Sequence, residues 1–289
     1  MSCQETPLVF ECAGCRLVGI AAQPETPAKI GVLIVVGGPQ YRAGSHRQFT
    51  LTARQLAEQN IASFRFDYRG MGDGEGEGRT FEQVNEDLRC AIDAFLAAVP
   101  QVERVAIFGL CDAASAALYY AHTDGRVSGL VLLNPWVHSE AGANRARLRH
   151  YYVSRLMQRS FWEKLLAGKL KLGDSAKDLA NSAQTALPGT AGADAQANGN
   201  PLYGTPGYVD RMLAGLERFP GKALVILSGA DLVAQQFQAL LKADKRWGRA
   251  CRPPKVEMRV LPEANHTFST AAWRDQAAAW AAQWLARLA

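Results

Sequence analysis

The chain has 289 residues, of which 48% are apolar and 20% charged, with a formal net charge of +5. That length gives one large domain or two small ones with a core that needs no staples. A disordered chain, a collagen-like fibre and a disulfide mini-scaffold are thereby excluded. The 32 basic and 27 acidic residues are too evenly matched to imply a nucleic-acid partner.

The N-terminal stretch lacks both a basic start and a long apolar run, so it does not read as a signal peptide. No apolar run approaches the ~18 residues of a membrane helix. A cytoplasmic protein is expected, and its six cysteines are too sparse for a disulfide framework. Residues 7–12 and 15–22 read as a hairpin. Ala13-Gly14 is its turn, so Cys12 and Cys15 are not expected to form a redox or metal pair.

Gly31–Val36 is a continuous apolar run ending in Gly37-Gly38-Pro39. Such runs suit strands buried on both faces of a parallel sheet. Ser45 is placed to cap a helix carrying Phe49, Ala53 and Leu56 and ending at Asn60. Further strands are expected at 62–66, 104–108, 129–133 and 223–227, with an alternating, more edge-like one at 256–261. Thr80-Phe81-Glu82-Gln83 has capping-box spacing and is expected to open a helix through Phe95. Residues 112–121 are helical by composition. The last helix places Trp273, Trp280 and Trp284 on one core-facing stripe. Alternating strands and helices imply an α/β fold with a mostly parallel central sheet covered on both faces.

That alternation breaks at 137–220. The core is expected at 1–136 and 221–289, and the interruption is read as a helical cap insertion. Its Ala- and Gly-rich part, about 184–207, buries too little apolar surface to order itself.

The chemistry concentrates at Gly109-Leu110-Cys111-Asp112-Ala113, between a buried strand and a helix of small residues. This is the strand–elbow–helix context of G-x-S-x-G, with Cys as nucleophile and Ala as the last small residue. Large side chains at 109 or 113 would collide in such a turn. The helix N-terminus beneath the sulfur is expected to lower the thiol pKa. Chain order nucleophile, acid, histidine then points to Asp231, after the strand at 223–227, and to His266, after the last strand. His46 ranks second. His122, His138 and His150 read as surface residues, Asp210 lies in the insertion, and Asn134 cannot carry the acid's charge. Gly38 N–H and the backbone N–H of Asp112 are the expected oxyanion donors, and Pro39 has none to give. The side chain of Asp112 is expected to matter little. The Gly70–Gly78 tract carries Asp73, Glu75 and Glu77, which would repel a phosphate.

Asp67-Tyr68-Arg69-Gly70-Met71-Gly72 resembles the D-x-R-G-x-G segment of α/β-hydrolases. Val36-Gly37-Gly38-Pro39 resembles their His-Gly-Gly-Pro loop, with Val in place of His. The elbow is similar to that of dienelactone hydrolases, the branch with a Cys nucleophile. The runs Gly37–Phe49 and Gly109–Ser115 resemble the exosortase A system-associated hydrolase 1 family most closely. The resemblance implies a Cys-dependent hydrolase linked to exopolysaccharide and protein-sorting gene sets, and supplies no substrate. The thiol chemistry itself points to an ester or thioester bond, and no cofactor or metal is expected. An acyltransferase with the same residues and a binding protein on the same fold are the alternatives.

Residues 142–172 hold eight Lys or Arg and a single acid, Glu163, interleaved with aromatics. A solvated basic face is one reading. The other is that Arg145, Arg149 and Trp162 draw a carrier-linked, anionic acyl substrate, or the inner membrane surface, toward Cys111.

Overall fold

Ala13 and Gly14 take positive φ of 49° and 77°, the left-handed pair that a two-residue hairpin turn requires. They join β1 (Gln4–Cys12) to β2 (Cys15–Gln23) with Cys12 opposite Cys15. All six cysteines are free thiols. The structure, a computed structural model, describes residues 3–38, 40–137, 205 and 207–288. They belong to one unit formed by Met1–Val137 and Pro201–Ala289.

Every residue of β3 (Ile30–Val35) and β4 (Ser63–Asp67) is buried. β5 (Arg104–Leu110), β6 (Val127–Leu133) and β7 (Lys222–Ser228) are nearly so, while β8 (Val256–Leu261) alternates at the sheet edge. The sheet order is β1-β2-β4-β3-β5-β6-β7-β8. The hairpin joins antiparallel, and the six strands from β4 to β8 pair in parallel. β3 lies between β4 and β5, so the chain leaves β3 on one side and returns on the other. An open α/β sheet presents its site at such a reversal, beyond the carboxyl ends of the strands. Val35 pairs with Gly109 there, bringing the loop after β3 beside the loop after β5.

Successive strand residues point to opposite faces. Val32 and Ile34 pack under α1 (Gln48–Glu58) and α7 (Ala271–Leu285), with Trp284 buried and Trp273 and Trp280 half-buried against the same cluster. Leu33 and Val35 face the other layer, which holds α2 (Asn85–Ala98), α3 (Asp112–Tyr120), α4 (Tyr208–Arg218), α5 (Leu232–Ala243) and α6 (Lys245–Ala250). The expected three-layer architecture is therefore present, and no described helix is long and apolar enough to cross a membrane.

Two helix starts differ from the sequence reading. Ser45 makes no capping bond; it opens a short 3-10 turn, and α1 begins at Gln48 after His46 and Arg47 at positive φ. Gln83 does accept the Thr80 N–H, at 3.1 Å, but this closes a turn, and α2 starts at Asn85. Tertiary packing decides the second case: the Phe81 ring seats against Tyr119 and Tyr208.

The insertion expected at 137–220 lies mostly outside the described residues, as do its Ala- and Gly-rich part (save 205 and 207) and Arg145, Arg149 and Trp162. Its last stretch is α4, which buries Met212, Leu213 and Leu216 in the core beside α3. Gly215 makes that approach possible, since a Cβ there would lie 2.0 Å from the Leu118 carbonyl oxygen.

Candidate active site

Cys111 sits between the end of β5 and the first turn of α3 with φ 61° and ψ −122°. A non-glycine residue in that region is strained by about 1–3 kcal/mol and persists only where its surroundings fix it. Here they do. Cys111 N–H donates to Leu133 O at 2.9 Å, and its carbonyl accepts from Ala114, Ser115 and Trp136 N–H at 3.1, 3.2 and 3.3 Å. The small neighbours are required sterically: a Cβ on Gly109 would meet the Ala113 backbone at 2.6 Å.

Asp231 follows β7 and caps α5, accepting Ala234 N–H at 3.1 Å. The same carboxylate oxygen lies 3.0 Å from His266 Nδ1, fixing the ring so that Nε2 is left for other chemistry. His266 stands on the loop after β8, as expected. A residue that sequence reasoning dismissed holds this loop. Asn134 is fully buried at the end of β6; its Nδ2 donates to Ser228 Oγ at 2.9 Å and to the His266 carbonyl at 3.1 Å. Its Oδ1 accepts Ser228 N–H at 2.8 Å, and Ser228 Oγ donates to Asn265 O at 2.9 Å. An amide at the position where this fold also accepts an acid was the available signal, and its polarity was read only as a missing charge.

Cys111 and His266 open on one cavity of about 270 Å³, lined also by Gly38, Asp112, Phe49 and Trp136. His46, in the turn before α1, is not among its lining residues. Two features of the cavity run against expectation. The Gly38 N–H is not free: it donates to Asp112 Oδ2 at 2.9 Å, while Ala113 N–H donates to Asp112 Oδ1 at 3.0 Å. The Asp112 side chain is thus a constituent of the site and not a bystander. Nor is the thiol pKa lowered. Burial, and next the Asp112 carboxylate, push Cys111 up to about 12, against the favourable Asp112 backbone N–H. The next amide of α3, that of Ala113, is bonded to the carboxylate, whose negative charge opposes the helix field at the sulfur. Burial likewise raises the carboxyl of Asp112 above its usual value, opposed by its bonds from Gly38 and Ala113.

The Asp67–Gly72 segment is structural. Asp67 accepts Arg42 N–H at 2.6 Å and Asp73 N–H at 3.1 Å, and a Cβ on Gly72 would collide with its carboxylate at 2.5 Å. Arg69 is bonded twice to buried Asp87 through Nε and Nη2, each at 2.9 Å. Among the described residues no group of His, Cys, Asp and Glu is arranged to hold a metal ion.

A parallel sheet with this switch point, a strained elbow after β5 and a histidine loop after the last strand define an α/β-hydrolase. The chain belongs to the hydrolase family described as serine aminopeptidase, S33, whose model matches residues 29–270. Its elbow carries Cys111 where that family name speaks of serine. The fold is similar to esterase Pf2001 of Pyrococcus furiosus, with TM-score 0.64, 14% identity, and 99% of this chain and 93% of that one covered. It is also similar to the dienelactone hydrolase of Anabaena variabilis, with TM-score 0.60, 14% identity and 99% of both chains covered. The esterase domain of a Rhodothermus marinus protein gives TM-score 0.61 and 17% identity over 98% of both chains. No curated protein matches the chain.

Proposed function

We propose that the protein hydrolyses an ester or thioester through Cys111, His266 and Asp231, by way of an acyl-enzyme. The observation that carries this is the Cys111 elbow opening on the same cavity as a histidine whose Nδ1 is held by Asp231. His266 Nε2 takes the thiol proton as sulfur attacks the carbonyl carbon. Because burial keeps Cys111 a thiol at neutral pH, the proton moves during attack rather than before it. Asp231 steadies the imidazolium that forms. The oxyanion gathers Gly38 N–H and Asp112 N–H, the imidazolium protonates the leaving group, and water then cleaves the thioester to the enzyme.

A thiolate leaves more readily than most alkoxides, so activated acyl groups such as thioesters, lactones and aryl esters suit this nucleophile. The family resemblance drawn from the two loop motifs supplies a setting, exopolysaccharide or exosortase-linked metabolism in the cytoplasm, but no substrate; the basic residues of 142–172 favour a carrier-linked, anionic one. In this reading Arg145, Arg149 and Trp162 receive the carrier. The test is turnover of an aryl ester and a thioester by folded variants. Cys111→Ala is expected to abolish it. Asp231→Asn should lower it by roughly 100-fold or more, through the wrong histidine tautomer. Cys251→Ala is expected to keep it, and near-normal turnover in Cys111→Ala would overturn the reading.

A further inference from the structure

Among the described residues lining the cavity, Asp112 is the carboxylate, and its resting place is shaped for it. Gly38 N–H reaches Oδ2 at 2.9 Å and Ala113 N–H reaches Oδ1 at 3.0 Å. Gly37 leaves the room: a Cβ there would lie 1.9 Å from Oδ1. Among the described residues no Lys or Arg pairs with this carboxylate; its bonded partners are the backbone amides of Gly38 and Ala113. An anion therefore rests where a developing oxyanion would need the Gly38 donor.

We infer that the Asp112 carboxylate occupies the oxyanion site of the resting protein and determines which acyl groups reach Cys111, admitting neutral ones and rejecting those with an anionic substituent next to the carbonyl. The inference rests on the hydrolase reading of Cys111 and Gly38. An entering carbonyl oxygen has to displace Oδ2 from Gly38 N–H. The displaced carboxylate stays on the residue next to the nucleophile, so its charge stays in the cavity. A neutral acyl group meets only the displacement. An anionic one also meets like-charge repulsion at short range, where little water screens it. The same charge opposes thiolate formation at Cys111, which makes the sulfur itself the reporter.

The experiment compares alkylation of Cys111 by neutral iodoacetamide and anionic iodoacetate, followed by mass spectrometry of the Cys111 peptide. Sulfur bonds to carbon, iodide leaves and the thiol proton goes to solvent, so no turnover is needed. Wild type, Asp112→Ala and the near-isosteric Asp112→Asn are measured at pH 8 and low salt. Loss of one neighbouring negative charge raises the thiolate fraction by about tenfold or more, so both variants are expected to react faster with iodoacetamide by that factor. The preference for iodoacetamide over iodoacetate should shrink by at least about threefold as the repulsion is removed. Asp112→Ala should gain more than Asp112→Asn, whose amide oxygen can still accept from Gly38. Variants that alkylate no faster than wild type, with the preference unchanged, would overturn the inference. Should Cys111→Ala keep its turnover, the nucleophile assignment falls, but these alkylation rates still decide what Asp112 does.

Discussion

Cys111 combines a strained backbone with a thiol held in its neutral form, and both follow from its neighbours. The strain is sustained by backbone bonds to Leu133, Ala114, Ser115 and Trp136. The neutrality comes from burial and from Asp112. A pH dependence follows directly. The thiolate is the form that alkylates, and an ordinary thiol near 8.5 would level off above about pH 9. With the Cys111 thiol raised to about 12, alkylation should climb about tenfold per pH unit from pH 7 to 10 without a plateau. A plateau below pH 9 in the wild type would show that the sulfur is not held this way. The elbow itself was legible because glycine and alanine at 109 and 113 are what that turn tolerates. The Asp112 side chain was not, since Gly37, whose missing Cβ makes its niche, lies 75 residues earlier in the chain.

Helices and strands were legible where one period dominates. The buried runs became β3 to β7, and the alternating run became the edge strand β8. Helix starts were less so: the Thr80–Gln83 spacing is genuine, yet Phe81 is seated by rings on α3 and α4, and the helix opens after it. Asn134 was missed for a related reason. Its role lies in contacts to Ser228 and His266, 94 and 132 residues away. At this scale α4 offers a test of packing. Gly215→Ala would set a Cβ 2.0 Å from a backbone oxygen of α3, and backbone cannot rotate away as a side chain can. Equilibrium denaturation should find the variant less stable by about 1–3 kcal/mol, as for an overpacked core. A change within about 0.5 kcal/mol would mean that the two helices are not so closely apposed.

Across the whole molecule the site is a consequence of sheet order. β3 between β4 and β5 brings Gly38 and Cys111 to one crevice, while β7 and β8 deliver Asp231 and His266 to the same end of the sheet. That much can be reasoned from chain order and strand count. The basic segment 142–172 contributes through composition alone, with eight Lys or Arg against one acid. Exposed charges act over a Debye length of about 8 Å at physiological ionic strength. If this segment receives a phosphate-bearing carrier, turnover of a phosphopantetheinyl thioester should fall with salt, while that of a neutral thioester should not. The double change Arg145→Gln, Arg149→Gln should remove the difference. Flat salt dependence for both substrates in the wild type would leave the segment a solvated basic face.

The central claim is that Cys111 carries the acyl group between attack and hydrolysis. Its most direct test is to quench the wild-type protein during turnover of an aryl ester and weigh the peptide containing Cys111. The account predicts that this peptide gains the mass of the acyl group within the first turnover, and that the gain decays as product appears. Turnover with no acyl mass on Cys111, or with that mass on another residue, would contradict it.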